Sequence, residues 1–272
     1  MRRAPRGVLA TALASLPAAA GCVRAPSPLN PGWHGAIGTP NHGVLTVPAE
    51  VPRDSPGLCW LRNDDRHWAT ERLAAALTRA AAEVEQAIPG APLCVGDAST
   101  RTGGGPLPPH LSHRSGVDVD LPFYVATLDG ASVPSPGFIH VGADGLARDE
   151  VHGRWLRLDV AREWRLVKAL VEDPEARTQW LFVSDVVHAM LLEWALARGE
   201  PLETIRRAEA AMLQPKPGGI HDDHIHLRVA CSPEETATGC EGVGPRRWWL
   251  SYRLPPGTES DEELAASLMG PP

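Results

Sequence analysis

Between Trp68 and Ile88 the apolar residues Leu73, Leu77, Ala81, Val84 and Ile88 recur every three or four positions, with Glu71, Arg79, Glu83 and Glu85 elsewhere. That spacing follows the 3.6-residue turn and predicts an amphipathic helix over 68–88, ended by Pro89-Gly90. A second helix is expected over 161–171, presenting Trp164, Val167, Leu170 and Val171. Ser184 suits an N-cap, and the helix after it carries Val187, Leu191 and Trp194 on one face before stopping at Gly199. Pro201 suits the first turn of a fourth helix, to about Leu213. Elsewhere the period shortens to two. Val117–Leu121 and Ile225–Ala230 alternate as half-buried strands do, while Pro92–Gly96 and Trp180–Val183 are short apolar runs expected as strands. Residues 122–157 keep no period and are expected to form an irregular insertion with one short strand near Phe138–Val141.

The start of the chain departs from this patterning. Arg2, Arg3 and Arg6 precede an apolar stretch, Val8 to Ala20, that is too short to span a bilayer. Residues 1–22 are therefore expected to be a secretory signal peptide. Ala19-Ala20-Gly21-Cys22 resembles a bacterial lipobox, in which Cys22 would be acylated, although Ala19 replaces the usual Leu. A Pro-rich tether over 23–35, a folded domain over 36–254 and an acidic tail over 255–272 complete the expected organisation. Export places the protein in the periplasm, with any membrane attachment made through the N-terminal lipid.

Composition narrows the partners. A formal net charge of −7, without a run of Lys or Arg, excludes a nucleic-acid footprint. Nine Trp against three Phe and two Tyr are expected mainly in the core rather than as sugar platforms. Apart from Cys22, Cys59, Cys94, Cys231 and Cys240 form an even set, which in an oxidising compartment suggests two disulfides. Of three possible pairings the sequence-local one is expected, Cys59–Cys94 and Cys231–Cys240. None of the four lies in a CxxC pattern, so they are not expected to bind metal. Nothing in the pattern specifies an oligomeric state.

The chemistry is concentrated in two histidine clusters. One runs His110-Leu111-Ser112-His113-Arg114-Ser115-Gly116-Val117-Asp118-Val119-Asp120; the other is His221-Asp222-Asp223-His224-Ile225-His226. A catalytic zinc takes three nitrogen or oxygen ligands and keeps a fourth position open. His113, followed by a glycine turn and a strand, can meet an aspartate at one point. His224 and His226 are two apart on a strand and face the same side, so one can ligate while the other stands beside it. Asp118 and Asp120 also share a face, and spacing does not choose between them. Two such clusters ending in alternating strands point to a metal site.

Ser112 to Asp120, followed far downstream by His224-Ile225-His226, resembles the penicillin-insensitive murein endopeptidases. These belong to a zinc group that includes lysostaphin-type enzymes, D-Ala-D-Ala peptidases and hedgehog-like domains. Ile37-Gly38-Thr39, Pro92 to Thr102, Trp180 to Val183 and the Cys after the His-x-His strand extend the similarity over roughly residues 36–245. The resemblance implies an α+β fold with a small antiparallel sheet carrying one zinc and helices packed against it. It implies His113, Asp120 and His226 as zinc ligands, thereby selecting Asp120 over Asp118, and His224 as general base or its helper. His110 and His221 match extra active-site histidines that position substrate or stabilise the oxyanion. Family members carry acidic site residues within the 122–157 insertion or just beyond it, for which Asp129, Asp144 and Asp159 are candidates here. Arg101 is expected to be an exposed loop residue.

The reaction this implies is hydrolysis of peptide cross-links in bacterial peptidoglycan, at the D-alanyl–diaminopimelate bond. Zinc supplies the activated water, and neutral His224 accepts its proton. The absence of HExxH, of GxSxG and of a plausible catalytic Cys disfavours the other common peptidase chemistries. Trimming of uncrosslinked stem peptides by the same site, and a metal-binding wall-docking module without activity, are the competing functions.

Overall fold

In the computed structural model, which describes residues 35–105, 107–108, 110–216 and 221–252, Thr70 sets the start of the longest helix. Its hydroxyl accepts the Leu73 N–H at 3.3 Å, so α1 (Glu71–Ala87) begins three residues later than its hydrophobic pattern suggests. The expected stripe of Leu73, Leu77, Ala81 and Val84 is buried. α2 (Val160–Glu172) is capped by Asp159 and buries Trp164, Val167, Leu170 and Val171. α3 (Asp185–Ala197) is capped by Ser184 as expected. α4 (Leu202–Ala211) follows Pro201 and ends early, because Met212 and Leu213 turn into a strand. A fifth helix, α5 (Pro233–Ala237), was not expected; a capping box between Ser232 and Glu235 nucleates it. The signal peptide, Cys22, the tether as far as residue 34 and the acidic tail lie outside the described residues.

Five short strands precede α1: β1 (Ala36–Ile37), β2 (Val44–Leu45), β3 (Ala49–Glu50), β4 (Leu58–Trp60) and β5 (Trp68–Ala69). β6 (Leu93–Val95) and β7 (Asp118–Pro122) follow it. β1 pairs with β2 and β3 with β5, both antiparallel, while β4 runs parallel to β6. The 122–157 stretch corrects the expectation of irregular chain. β8 (Val125–Thr127), β9 (Ser132–Val133), β10 (Leu146–Asp149) and β11 (Arg154–Leu158) form an antiparallel sheet in the order β10-β11-β8-β9. Its strands are too short to stamp a period on the sequence. Phe138–Val141 is not a strand; Val141 makes an isolated bridge to Ala147. Pro134 and Pro136, just before it, lack the N–H donors a ladder needs.

The sheet that matters for function joins β7, β12 (Thr178–Phe182), β13 (Met212–Leu213) and β14 (His224–Val229) in the order β13-β12-β14-β7. It is antiparallel except where β13 meets β12. Val119, Leu121, Leu181, Ile225 and Leu227 are fully buried in the hydrophobic core. The alternate positions on the same strands are Asp118, Asp120, Trp180, Phe182, His224, His226 and Arg228, and they make up the other face. The α+β expectation therefore holds. The tryptophans do not behave as one class: Trp164 is in the core, whereas Trp155 and Trp248 are exposed.

Both expected disulfides form. Cys59–Cys94 links the paired residues of β4 and β6, and Cys231–Cys240 closes the loop that contains α5 just after β14. Glu235 of α5 also pairs with Arg72 of α1 at 2.6 Å, tying that loop to the long helix. Among the described residues no helix is long and apolar enough to cross a membrane.

One core residue sets a pH limit on the fold. Glu163, in the first turn of α2, is fully buried; it accepts the Tyr124 N–H at 2.9 Å through Oε2, and among the described residues its Oε1 has no partner. Burial raises its pKa from 4.5 to about 8, against the opposing Tyr124 N–H. The folded state thus keeps a proton that the unfolded chain releases, and stability falls as pH rises from about 4.5 through about 8. Glu163→Gln should remove that fall. In thermal melts the variant should match wild type near pH 4.5 and exceed it by several degrees above pH 8; a gap that does not change with pH would refute the assignment.

Candidate metal centre

The register of β7 against β14 builds the site. Asp120 lies opposite His226 and Asp118 opposite Arg228, and on the far side of β14 His226 faces Phe182 of β12. All of these point away from the core, since each is two residues from the next along its strand. His113 arrives from the turn that precedes β7. Its φ of 64° is unusual for a residue with a side chain, and its N–H donates to Asp118 Oδ2 at 3.2 Å. The turn then needs Gly116: at φ +74° an added Cβ would lie 2.8 Å from Leu45 Cδ1 and 3.0 Å from Thr70 N.

Asp120 is the centre of the arrangement. Its Oδ1 lies 2.9 Å from His226 Nδ1, 3.4 Å from His113 Nε2 and 3.4 Å from His224 Nε2. Its Oδ2 lies 3.4 Å from His110 Nδ1. These atoms are close without being aligned as hydrogen bonds. Both oxygens of Asp120, both ring nitrogens of His113 and His226 Nε2 are buried without a hydrogen-bond partner among the described residues. Each unsatisfied buried polar group costs about 1–3 kcal/mol, so such a cluster is unfavourable as a purely structural feature. Its donors suit a cation: imidazole nitrogens and carboxylate oxygens are the ligand types zinc accepts. His110, His113 and Asp120 each offer an atom within 4.8 Å of the others, and so do His221, His224 and His226. The two groups adjoin, since the His113 and His226 rings are 4.8 Å apart.

A second layer fixes these side chains. Asp118 accepts from Arg228 Nε at 2.6 Å and Nη2 at 3.1 Å, and its Oδ1 lies 3.3 Å from His226 Nε2. Burial favours its neutral form, but Arg228 and His226 outweigh that and hold its pKa below the usual carboxylate range. Asp120 is likewise held low: burial opposes ionisation, and His113 and His226 prevail. His224 Nδ1 sits 2.5 Å from Asp223 Oδ1. Burial lowers the affinity of His224 for a proton, yet Asp120 and Asp223 together raise its pKa to about 9. His110 Nε2 lies 2.9 Å from Asp97, a buried carboxylate that also pairs with Arg62 and Arg66. Phe138 meets His224 edge-on, with ring centres 5.2 Å apart.

All six residues singled out in the sequence converge here. His110, His221, His224 and His226 line a groove of about 620 Å³, together with Ser112, Phe182 and Arg228. His113 and Asp120 lie beneath it, buried. Asp129, Asp144 and Asp159 do not take part: Asp129 and Asp144 bind within their own turns, and Asp159 caps α2. Arg101 is exposed and covers Trp68. Sequence reasoning missed Asp97, Asp223, Phe182 and the pairing of Asp118 with Arg228. Asp223 adjoins His224 in the chain, and Arg228 continues the alternation of β14, so both left a signal. Asp97 left none, because it reaches the site through the pairing of Asp120 N with Asp97 O at 2.7 Å.

Comparison with known proteins bears on the chemistry. A family model described as penicillin-insensitive murein endopeptidase matches residues 36–248. A protein of Haemophilus influenzae named penicillin-insensitive murein endopeptidase is 26% identical over 230 residues, covering 82% of this chain and 72% of its own length.

The donor cluster makes a direct prediction. Purified protein dialysed against zinc should retain about one ion per chain, as a three-ligand site does. His113→Ala or His226→Ala should lose most of it; full zinc in both variants by metal analysis would reject this donor set.

Proposed function

The chain belongs to the penicillin-insensitive murein endopeptidase family, and from that footing we propose that it is a zinc-dependent endopeptidase cutting the D-alanyl–diaminopimelate cross-link of peptidoglycan. Membership of the family supports peptidase action on peptidoglycan. One observation carries it: Asp120 is a buried carboxylate with three histidine nitrogens within 3.4 Å of a single oxygen and no hydrogen bond to any of them.

In this reading His113, Asp120 and His226 hold the metal. Zinc at that position would polarise the scissile carbonyl and lower the pKa of a water molecule from near 16 toward about 7. Asp118 orients two of the ligands, His226 through its ring and His113 through its backbone. His224 directs Nε2 inward because Nδ1 is held by Asp223, so it can take a proton at Nε2 and return it to the departing amine. Asp223 stabilises the imidazolium in between. The high proton affinity of His224 comes partly from Asp120, and a cation shared by Asp120 would reduce that contribution. His110, fixed by Asp97, and His221, at the groove wall, are placed by the proposal against the substrate carbonyl and backbone.

Export is part of the same proposal. The basic start, the apolar stretch and Gly21-Cys22 support delivery to the compartment where peptidoglycan lies, with Cys22 acylated. Mass spectrometry of the mature N-terminus should find a lipid-modified Cys22; an unmodified start elsewhere would remove the anchor and leave the peptidase intact.

Digestion of purified cross-linked muropeptides tests the activity. Wild type should release monomers, a chelator should stop the reaction and added zinc should restore it. His224→Ala should keep its zinc and lose roughly 10²–10⁴-fold in rate. Chelator-resistant cleavage, or near-normal turnover by His224→Ala, would contradict the mechanism.

A further inference from the structure

Arg228 lines the groove two residues beyond His226, on the same face of β14. Its Nε and Nη2 donate to Asp118, which occupies one edge of a planar five-donor group and fixes its orientation. Among the described residues the remaining nitrogen, Nη1, takes no hydrogen-bond partner, and it is not sealed from solvent. The side chain is only 12% exposed and its Cζ lies 5.8 Å from the centre of the Phe182 ring. A guanidinium that is rigid, largely desolvated and open along one edge is well suited to an oxyanion.

Among the described residues the groove leaves no unengaged carboxylate for that edge. Its two lining carboxylates outside the donor cluster are already held, Asp222 by His140 at 2.7 Å and Asp223 by His224 at 2.5 Å. Among the described residues that line it, Arg228 is the only Arg or Lys.

We propose that the free edge of Arg228 is a carboxylate subsite that recognises the diaminopimelate carboxylate on the leaving-amine side of the cross-link. The proposal rests on the peptidase reading above. In that cross-link the carbon that bears the scissile nitrogen also bears a free carboxylate, so the anion lies within one residue of the bond being cut. Two residues along a strand span about 7 Å, which is the offset of Arg228 from His226 and suits an anion held that close to the reacting bond. Recognition here is non-covalent: the guanidinium binds and orients, and no bond changes at Arg228.

Cross-linked peptide dimers in two forms, with this carboxylate free or converted to a primary amide, test the subsite on the zinc-loaded full chain. Wild type should cut the acid with a kcat/KM roughly 10–100-fold higher, the range expected for a hydrogen bond to a charged partner. Arg228→Lys keeps a cation beside Asp118 but loses the planar second edge, and should shrink the ratio to within about 3-fold. A variant that is merely less stable or binds less zinc slows both reactions and leaves the ratio unchanged. Calorimetric binding of the two cleaved stem peptides to metal-free protein should show the same preference for the acid, again reduced in Arg228→Lys. Equal cleavage of acid and amide by wild type, or an undiminished ratio in the variant, overturns the subsite. Cleavage of neither dimer by wild type overturns the peptidase reading instead, and the preference in product binding then decides the subsite alone.

Discussion

The pairing of β7 with β14 is the constraint on which the site depends. In the observed register Asp120 meets His226, Asp118 meets Arg228, and Val119 and Leu121 turn to the core with Ile225 and Leu227. A slip of one residue by either strand would invert it, turning its ionisable side chains into the hydrophobic core and its hydrocarbons away from it. The apolar face therefore does more than stabilise the sheet: it forces every ionisable side chain of these strands onto one surface. Core packing and site geometry are two consequences of one register.

On that surface Asp118 holds the parts together. It accepts from the His113 backbone, faces the distal nitrogen of His226 and binds Arg228 by two bonds. The φ of 64° at His113 is uncomfortable for a side-chain-bearing residue, and the Asp118 contact is part of what maintains it. A buried carboxylate of this kind is costly alone and becomes tolerable because its partners are numerous and fixed. Asp97 and Asp223 act similarly for His110 and His224, so each of these two rings is oriented by an acid behind it.

Much of this was legible in the chain, and for identifiable reasons. Strict alternation in Val117–Leu121 and Ile225–Ala230 disclosed two strands with chemistry on one side. Heptad-like spacing disclosed α1, and Thr70 and Ser184 show that helix starts follow cap residues more closely than apolar stripes. The choice of Asp120 over Asp118 was not legible from spacing, because both aspartates share a face; the family resemblance favours Asp120, and in the structure both lie against His226, with Asp120 also near the rings of His110, His113 and His224 and Asp118 bound to Arg228. The β8–β11 sheet escaped notice because two- to five-residue strands carry too few alternations to register. Asp97 escaped because its nearness to the site comes from pairing between distant parts of the chain, which leaves no local pattern. Phe138 was assigned to a strand, but its surroundings make it a ring packed on His224.

The order of the strands has a consequence in time. Among the described residues β14 is the last strand to be made, yet it lies inside the sheet, between β12 and β7. Until it inserts, β12 and β7 are not joined, and His113 and Asp120 have no partner strand to complete their surroundings. Contacts that span more than a hundred residues form slowly, because a long loop must close first. A chain that is still emerging, or one cut short before residue 224, would hold His113 and Asp120 without His224 or His226, and no assembled groove. Assembly of the groove therefore waits on the insertion of β14 between strands made far earlier.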